Sequence, residues 1–155
     1  MSFDLNHEEH LRELQKRLHR ARMITPDLIA KVIAQVCPRL QAQRRASKAR
    51  IIDFVESGAC ADAALALLES ELPQWKLRRL IYEDGEWHCA LSKHVGLPAE
   101  LDDMAEGNHE SLPLAILSAF LAARDQSLTA AETRRNPVPL VGLPHGYAVC
   151  CDNFA

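Results

Sequence analysis

Apolar residues recur at helical spacing through the first third of the chain. Leu11, Leu14, Leu18 and Ala21 follow at steps of three, four and three, a narrow seam flanked by Arg12, Lys16, Arg17, Arg20 and Arg22. Asn6 with Glu9 three residues on is a capping-box pattern and predicts the start of this helix. The seam is too short for a coiled coil, so it predicts a helix docked on another surface. One such surface is a second copy of the chain, which makes Leu11, Leu14 and Leu18 a candidate self-association seam. Thr25-Pro26-Asp27 predicts a second start, with a hydroxyl cap, a proline in the first turn and an acid beside it. Leu28, Ile29, Val32, Ile33, Val36 and Leu40 then share one face. Pro38 predicts a kink or stop near Cys37, with helix resuming over residues 39–56. Its first part, 41–50, is polar almost all round; Ile51, Ile52, Phe54 and Val55 give it a buried end, and Gly58 suits the stop.

Residues 61–72 predict a short helix ending at Pro73, after which the period changes from helical to two. Residues 75–83 and 86–92 read as strands joined by Asp84-Gly85, a dipeptide that accepts the positive φ of a tight hairpin. A two-residue turn there pairs Tyr82 with Trp87, Leu80 with Cys89 and Arg78 with Leu91. Leu80, Tyr82, Trp87, Cys89 and Leu91 then share an apolar face. Glu86, His88, Ala90 and Ser92 lie opposite Arg79 and Ile81 on a mixed one, the mark of a sheet packed mainly on one side. Residues 98–106 predict a short acidic helix ended by Gly107. Residues 111–124, capped by Ser111 or Asn108 with Pro113 tolerated in the first turn, are apolar on every side and predict the central buried helix. Beyond them Pro137, Pro139, Gly142, Pro144 and Gly146 predict an extended arm, with one further edge strand at 147–151 as an option. The expected fold is α+β: N-terminal helical segments, then a helix–β-hairpin–helix unit with a small antiparallel sheet packed against helices. The expected parts are a basic helical segment at 1–58, the α+β core at 59–125, and a partly extended arm at 126–155.

Composition narrows the class. A chain of 155 residues, 48% hydrophobic and 25% charged, is one ordinary soluble domain rather than a disordered, collagenous or membrane protein. The longest apolar run, 112–123, falls short of the roughly 20 residues of a membrane span. The N-terminus shows no basic region followed by an apolar stretch, and five cysteines are an odd number, so reduced thiols and a cytoplasmic location are expected. The net charge of −3 hides a split: residues 1–50 hold 11 Lys/Arg against 5 Asp/Glu, and residues 51–155 hold 7 against 16. Two readings stand. Either the halves attract each other within the fold, or the first half presents a positive face to a partner.

One stretch resembles a known family. Asp62-Ala63-Ala64-Leu65-Ala66-Leu67, then Leu72-Pro73-Gln74-Trp75, Trp87-His88-Cys89-Ala90-Leu91, and 112–122 with its Ala/Leu-rich pattern are similar to the phage "ABA sandwich" domain, found also in prophage and alphaproteobacterial proteins. The resemblance covers 59–125, under half the chain. It implies a helix, a short antiparallel sheet with an aromatic-rich strand and a final helix, together with a mobile-element origin. It brings no catalytic residues. Residues 1–57 and 126–155 lie outside it.

No catalytic, cofactor-binding or metal-ligating set is expected from the residues. His88 and Cys89 fall on opposite faces of their strand and cannot serve one ion; Cys89 reads as a small core residue. His7-Glu8-Glu9-His10 lacks the spacing of a zinc protease helix. Ser92 and His94 are close in sequence, but no nucleophile-elbow motif surrounds any serine. Asp102-Asp103 reads as a solvated acidic face. The sharpest candidate is the cationic run Arg39, Arg44, Arg45, Lys48 and Arg50, joined by Arg17 and Arg20, which suits phosphates or an acidic protein surface. It has no aromatic for base stacking. The expected function is therefore a non-enzymatic accessory protein of bacterial or phage type, binding a protein partner or itself. The alternative is a nucleic-acid-binding regulator using the basic helical face.

Overall fold

A computed structural model describes residues 2–43 and 45–135, with side chains described for 6–43 and 45–131. The chain begins with helix α1 (Ser2–Arg20), so Asn6 and Glu9 lie inside a helix that starts four residues before the expected cap. Helix α2 (Pro26–Val36) starts where its signals place it: the Thr25 hydroxyl accepts a hydrogen bond from the Leu28 N–H at 3.2 Å. It stops at Cys37, before Pro38 opens the short helix α3 (Pro38–Ala42). The Gln41 amide donates to the Ile33 carbonyl at 2.7 Å, which also accepts the Cys37 N–H, and to the Ala34 carbonyl at 2.5 Å, an acceptor left orphaned by the end of α2.

Helix α4 (Arg45–Glu56) ends in a Schellman turn. Gly58, at φ 87°, donates to the Val55 carbonyl, and Ala59 donates to that of Phe54. Helix α5 (Cys60–Glu71) follows at once and is ended by Leu72 and Pro73.

Strands β1 (Lys76–Glu83) and β2 (Glu86–Ser92) form the expected hairpin, with Asp84 at φ 52° and Gly85 at φ 83° as its turn. Tyr82 faces Trp87 and Leu80 faces Cys89. A bulge shifts the register between Leu77 and Arg79, so Leu77, not Arg78, stands opposite Leu91. The expected acidic helix at 98–106 is not formed. A single 3₁₀ turn (Ala99–Leu101) is followed by strand β3 (Met104–His109), antiparallel to β2. Among the described residues the sheet therefore has three strands in the order β1-β2-β3. The free edge of β2 outweighs the helix propensity of the Ala-Glu-Leu-Asp-Asp run, and the small residues Ala105 and Gly107 let β3 lie against the last helix.

That helix, α6 (Leu112–Arg135), is the centre of the fold. It packs on β3, β2, α5 and α1. Leu114 to Leu117 and Ala119 to Leu121 are all buried, as the unbroken apolar run requires. It continues eleven residues past Arg124, so the stretch 126–135, expected to be part of an extended arm, is helical. The Pro-rich stretch from Pro137 and the option of a strand at 147–151 lie outside the described residues.

The seam of α1 is buried inside this chain. Leu11, Leu14 and Leu18 are 1–2% exposed and belong to the same core as Phe120 and Leu114. Burial of each is worth about 1.5–3 kcal/mol, so the seam serves intramolecular packing on α6 rather than self-association. The same core runs without a break across the boundary at 58/59. The architecture is α+β, with a small antiparallel sheet packed with helices.

Candidate functional site

Strand β1 is the least covered element of the sheet. It is held almost entirely through β2, whereas β2 and β3 carry α6 on one face. Every residue of β1 except Arg78 and Leu80 is exposed, including Leu77, Ile81 and Tyr82 at 40%, 39% and 59%. Its lower end is anchored: Trp75, buried, donates from its indole N–H to the Ser127 hydroxyl on α6 at 3.2 Å, with the Lys93 ammonium over its ring. Its upper end carries Tyr82 against Trp87, ring centroids 5.1 Å apart. The turn at Asp84-Gly85 makes Glu83 and Glu86 the hydrogen-bonded closing pair. Alternation along an antiparallel ladder then points the N–H and C=O of Ile81 toward β2 and those of Leu80 and Tyr82 outward. Among the described residues no backbone group pairs with that outer edge.

The sheet's other face is a shallow polar trough of about 270 Å³, bordered by Arg79, Ile81 and Glu83 on β1, His88 on β2, and Glu106 and Asn108 on β3. Asn108 donates to Glu86 at 2.8 Å, and Arg79 lies 3.9 Å from Glu106 with both side chains more than half exposed. His88 and Cys89 do point to opposite faces, opposite Ile81 and Leu80 respectively. Burial alone pushes the Cys89 thiol up to about 11, as a packed core thiol should show.

A second constellation joins Ser92, His94, Asp102 and Arg78. The Ser92 hydroxyl donates to the Asp102 carboxylate, which also accepts from the His94 backbone N–H at 3.1 Å and from the Arg78 guanidinium at 2.7 Å. Arg78 further donates to the Leu97 carbonyl. These bonds, that of Ser92 foremost, hold the Asp102 carboxyl below the usual range. Serine, histidine and aspartate are thus brought together, but in the wrong roles for nucleophilic catalysis. The serine is fully buried, its proton is committed to the aspartate, and the histidine enters through its backbone. The cluster staples the connection between β2 and β3 to the bulged end of β1.

No protein-family model, curated protein or solved structure matches this chain.

The candidate cations do not form one continuous helix face. Arg17 and Arg20 belong to α1, which packs on α6 and α2. Arg39 and the α4 residues Arg45, Lys48 and Arg50 belong to helices packed on α5 and α2. Arg44 is outside the described residues. Arg17 reaches Glu13 at 3.6 Å on its own helix, and Arg50 lies over the Phe54 ring at 5.4 Å. Among the described residues each ion pair joins partners within 1–50 or within 51–155, so no salt bridge among them links the two halves, which meet through apolar packing and the Glu71 hydrogen bonds to α3. On α1, Arg12, Lys16 and Arg20 line a cleft of about 570 Å³ against Glu106, Asn108 and His109 of β3.

Glu71 carries a role that the sequence pattern does not mark. It is buried at the end of α5, where its carboxylate accepts from the Leu40 N–H at 3.0 Å and the Arg39 N–H at 3.4 Å, and lies 3.5 Å from the Arg124 guanidinium. It caps α3 from another helix, as an anion at a helix N-terminus should. Burial, and then this carboxylate, raise the neighbouring Cys37 thiol far above its ordinary value, which leaves it unreactive. A glutamate before a helix-ending Leu-Pro carries no local signal of such a role. Among the described residues no three His, Cys, Asp or Glu side chains gather as a metal would require, and no helix is long and apolar enough to cross a membrane.

Proposed function

We propose that this protein acts by binding another polypeptide rather than by catalysis, and that the outer edge of β1 accepts an added strand. One observation carries the reading: a sheet edge that no backbone group among the described residues pairs with, exposed at every residue but Arg78 and Leu80, with outward backbone groups at Leu80 and Tyr82 and with Ile81 and Tyr82 open beside them. Such an edge is a template for strand addition, in which main-chain bonds supply affinity and alternate side chains supply specificity. A cytoplasmic location and a bacterial or phage origin belong to the same proposal. A photo-crosslinking residue at Ile81, compared with one at Arg45 on α4, tests it. Cross-links to a polypeptide are expected from Ile81 and are expected to vanish with Tyr82→Pro, which removes an outward N–H. Equal cross-linking from both positions, or none from Ile81, refutes it.

A second reading, nucleic-acid binding, is favoured by the cleft lined by Arg12, Lys16 and Arg20. It predicts binding of a labelled DNA duplex that weakens steeply with salt and is lost in Lys16→Glu/Arg20→Glu. No binding at low salt refutes it.

A further inference from the structure

We infer that the strand added to β1 is β1 of a second copy, paired antiparallel about a two-fold axis at Ile81, so that two three-stranded sheets become one of six. This rests on the reading of β1 as an accepting edge and names its partner.

The register follows from three constraints. A two-fold axis normal to the sheet must set residues of the same face opposite one another, so it passes through a residue of β1. The outward backbone groups belong to Leu80 and Tyr82, so these must make the hydrogen-bonded pairs. With the axis at Ile81, Leu80 of each copy bonds Tyr82 of the other. Arg79 then stands opposite Glu83 of the second copy at a non-hydrogen-bonded position, where side chains approach most closely. An axis at Leu80 would set Arg79 opposite Ile81, and one at Tyr82 would set Ile81 opposite Glu83. Only the axis at Ile81 matches opposite charges and stacks apolar on apolar.

Among the described residues Glu83 is open, and Arg79 is held only by an exposed pairing with Glu106 at 3.9 Å. Glu83 faces Glu86 directly across the hairpin, next to Asp84, yet only Glu86 is relieved, by Asn108. Among the described residues Glu83 has no ion pair and no hydrogen bond. Two opposed carboxylates and an aspartate call for a cation, and Arg79 of the second copy arrives there. Ile81, 39% exposed, meets Ile81 of the second copy, and Tyr82 packs over its Leu80. The bulge between Leu77 and Arg79 ends the regular edge and confines the pairing to residues 79–83. So short a seam predicts concentration-dependent rather than obligate association, since stable interfaces engage roughly 20–30 residues a side.

Sedimentation velocity across a concentration series, with amide hydrogen exchange at Leu80 and Tyr82, tests this on the full chain. The wild type is expected to dimerise with concentration while those two amides gain protection. Glu83→Arg relieves the Glu83–Glu86 repulsion within one copy but sets cation against Arg79 of the other, and should weaken association about tenfold or more. Adding Arg79→Glu should restore it, which a folding defect would not do; Tyr82→Pro should abolish it. A monomer at every concentration with fast exchange at Leu80 and Tyr82 overturns self-pairing and leaves the edge open to a different polypeptide. A monomer with both amides slow means the edge is filled within the chain, which overturns self-pairing and the broader reading together. A dimer indifferent to Glu83→Arg and Tyr82→Pro assembles elsewhere and also overturns the inference.

Discussion

Gly107→Ala isolates the contact that lets the sheet close on its central helix. Gly107 sits in β3 opposite Cys89, buried against α6. A Cβ built there meets the backbone nitrogen of Ala119 well inside contact distance, with the Ser118 carbonyl carbon at 2.7 Å and the Ser118 Cβ at 2.8 Å. None of these is the free end of a flexible side chain. Ala119 and Phe120 are wholly buried, so α6 has no direction in which to yield, and β3 must move off by about one ångström or more to reach ordinary contact. Overpacking of this kind costs about 1–3 kcal/mol, and with rigid backbone as the obstacle the upper part of that range applies. The reduced freedom of the unfolded alanine chain returns about 0.4–1 kcal/mol, leaving a net loss of about 2 kcal/mol. For a domain of this size that lowers the melting temperature by about 4–8 °C. Urea unfolding and calorimetry measure it, with Gly96→Ala as the control, because nothing lies within 4 Å of a Cβ there. A Gly107→Ala protein as stable as the wild type would refute the close approach of β3 to α6.

Three further outcomes are expected. Leu14→Ala should cost about 2–5 kcal/mol in urea unfolding at every protein concentration, because Leu14 is core; a loss confined to concentrations at which the protein self-associates would restore the seam as an interface. Glu71→Ala should cost about 3–5 kcal/mol, since it strands the mostly buried Arg124 and uncaps α3; a midpoint shift equivalent to less than about 1 kcal/mol would show that the carboxylate is dispensable. The Asp102 carboxyl is held below its unfolded value near 3.8, so its stabilisation is present above about pH 4 and is lost as pH falls through the lower folded value. Asp102→Asn should therefore flatten the decline in stability on acidification, and an unchanged slope below pH 4 would refute the assignment.

Local chemistry was readable wherever it is contained in a few neighbouring residues. Thr25-Pro26-Asp27, Gly58 and Asp84-Gly85 each act through their own backbone or the next turn, so α2, the end of α4 and the hairpin lie where the pattern places them. The apolar run from Leu114 likewise announces a buried helix whatever surrounds it. The missed strand and the shifted register have one cause. Residues 104–109 became a strand because β2 had an edge to fill, although Ala105-Glu106-Gly107-Asn108 already alternates small with polar. Arg78 was displaced by a bulge, and its guanidinium bonds Asp102, twenty-four residues on.

The candidate site divides along the same line. Sequence located the cations and the leucine seam, since charge and periodicity are local properties, but not what those residues face. The fold spent the seam on α6, left the cations on separate helices, and turned a nearby serine, histidine and aspartate into a structural clasp. Among the described residues it also left the outer edge of β1 open. What the sequence by itself determined is therefore the helices, the turn and the alternation of faces, each a consequence of backbone preference and hydrophobic period over a few residues. Which faces meet, which strand lies at the edge and which charges stay unpartnered depend on packing between residues distant in the chain, and only the tertiary structure decided them.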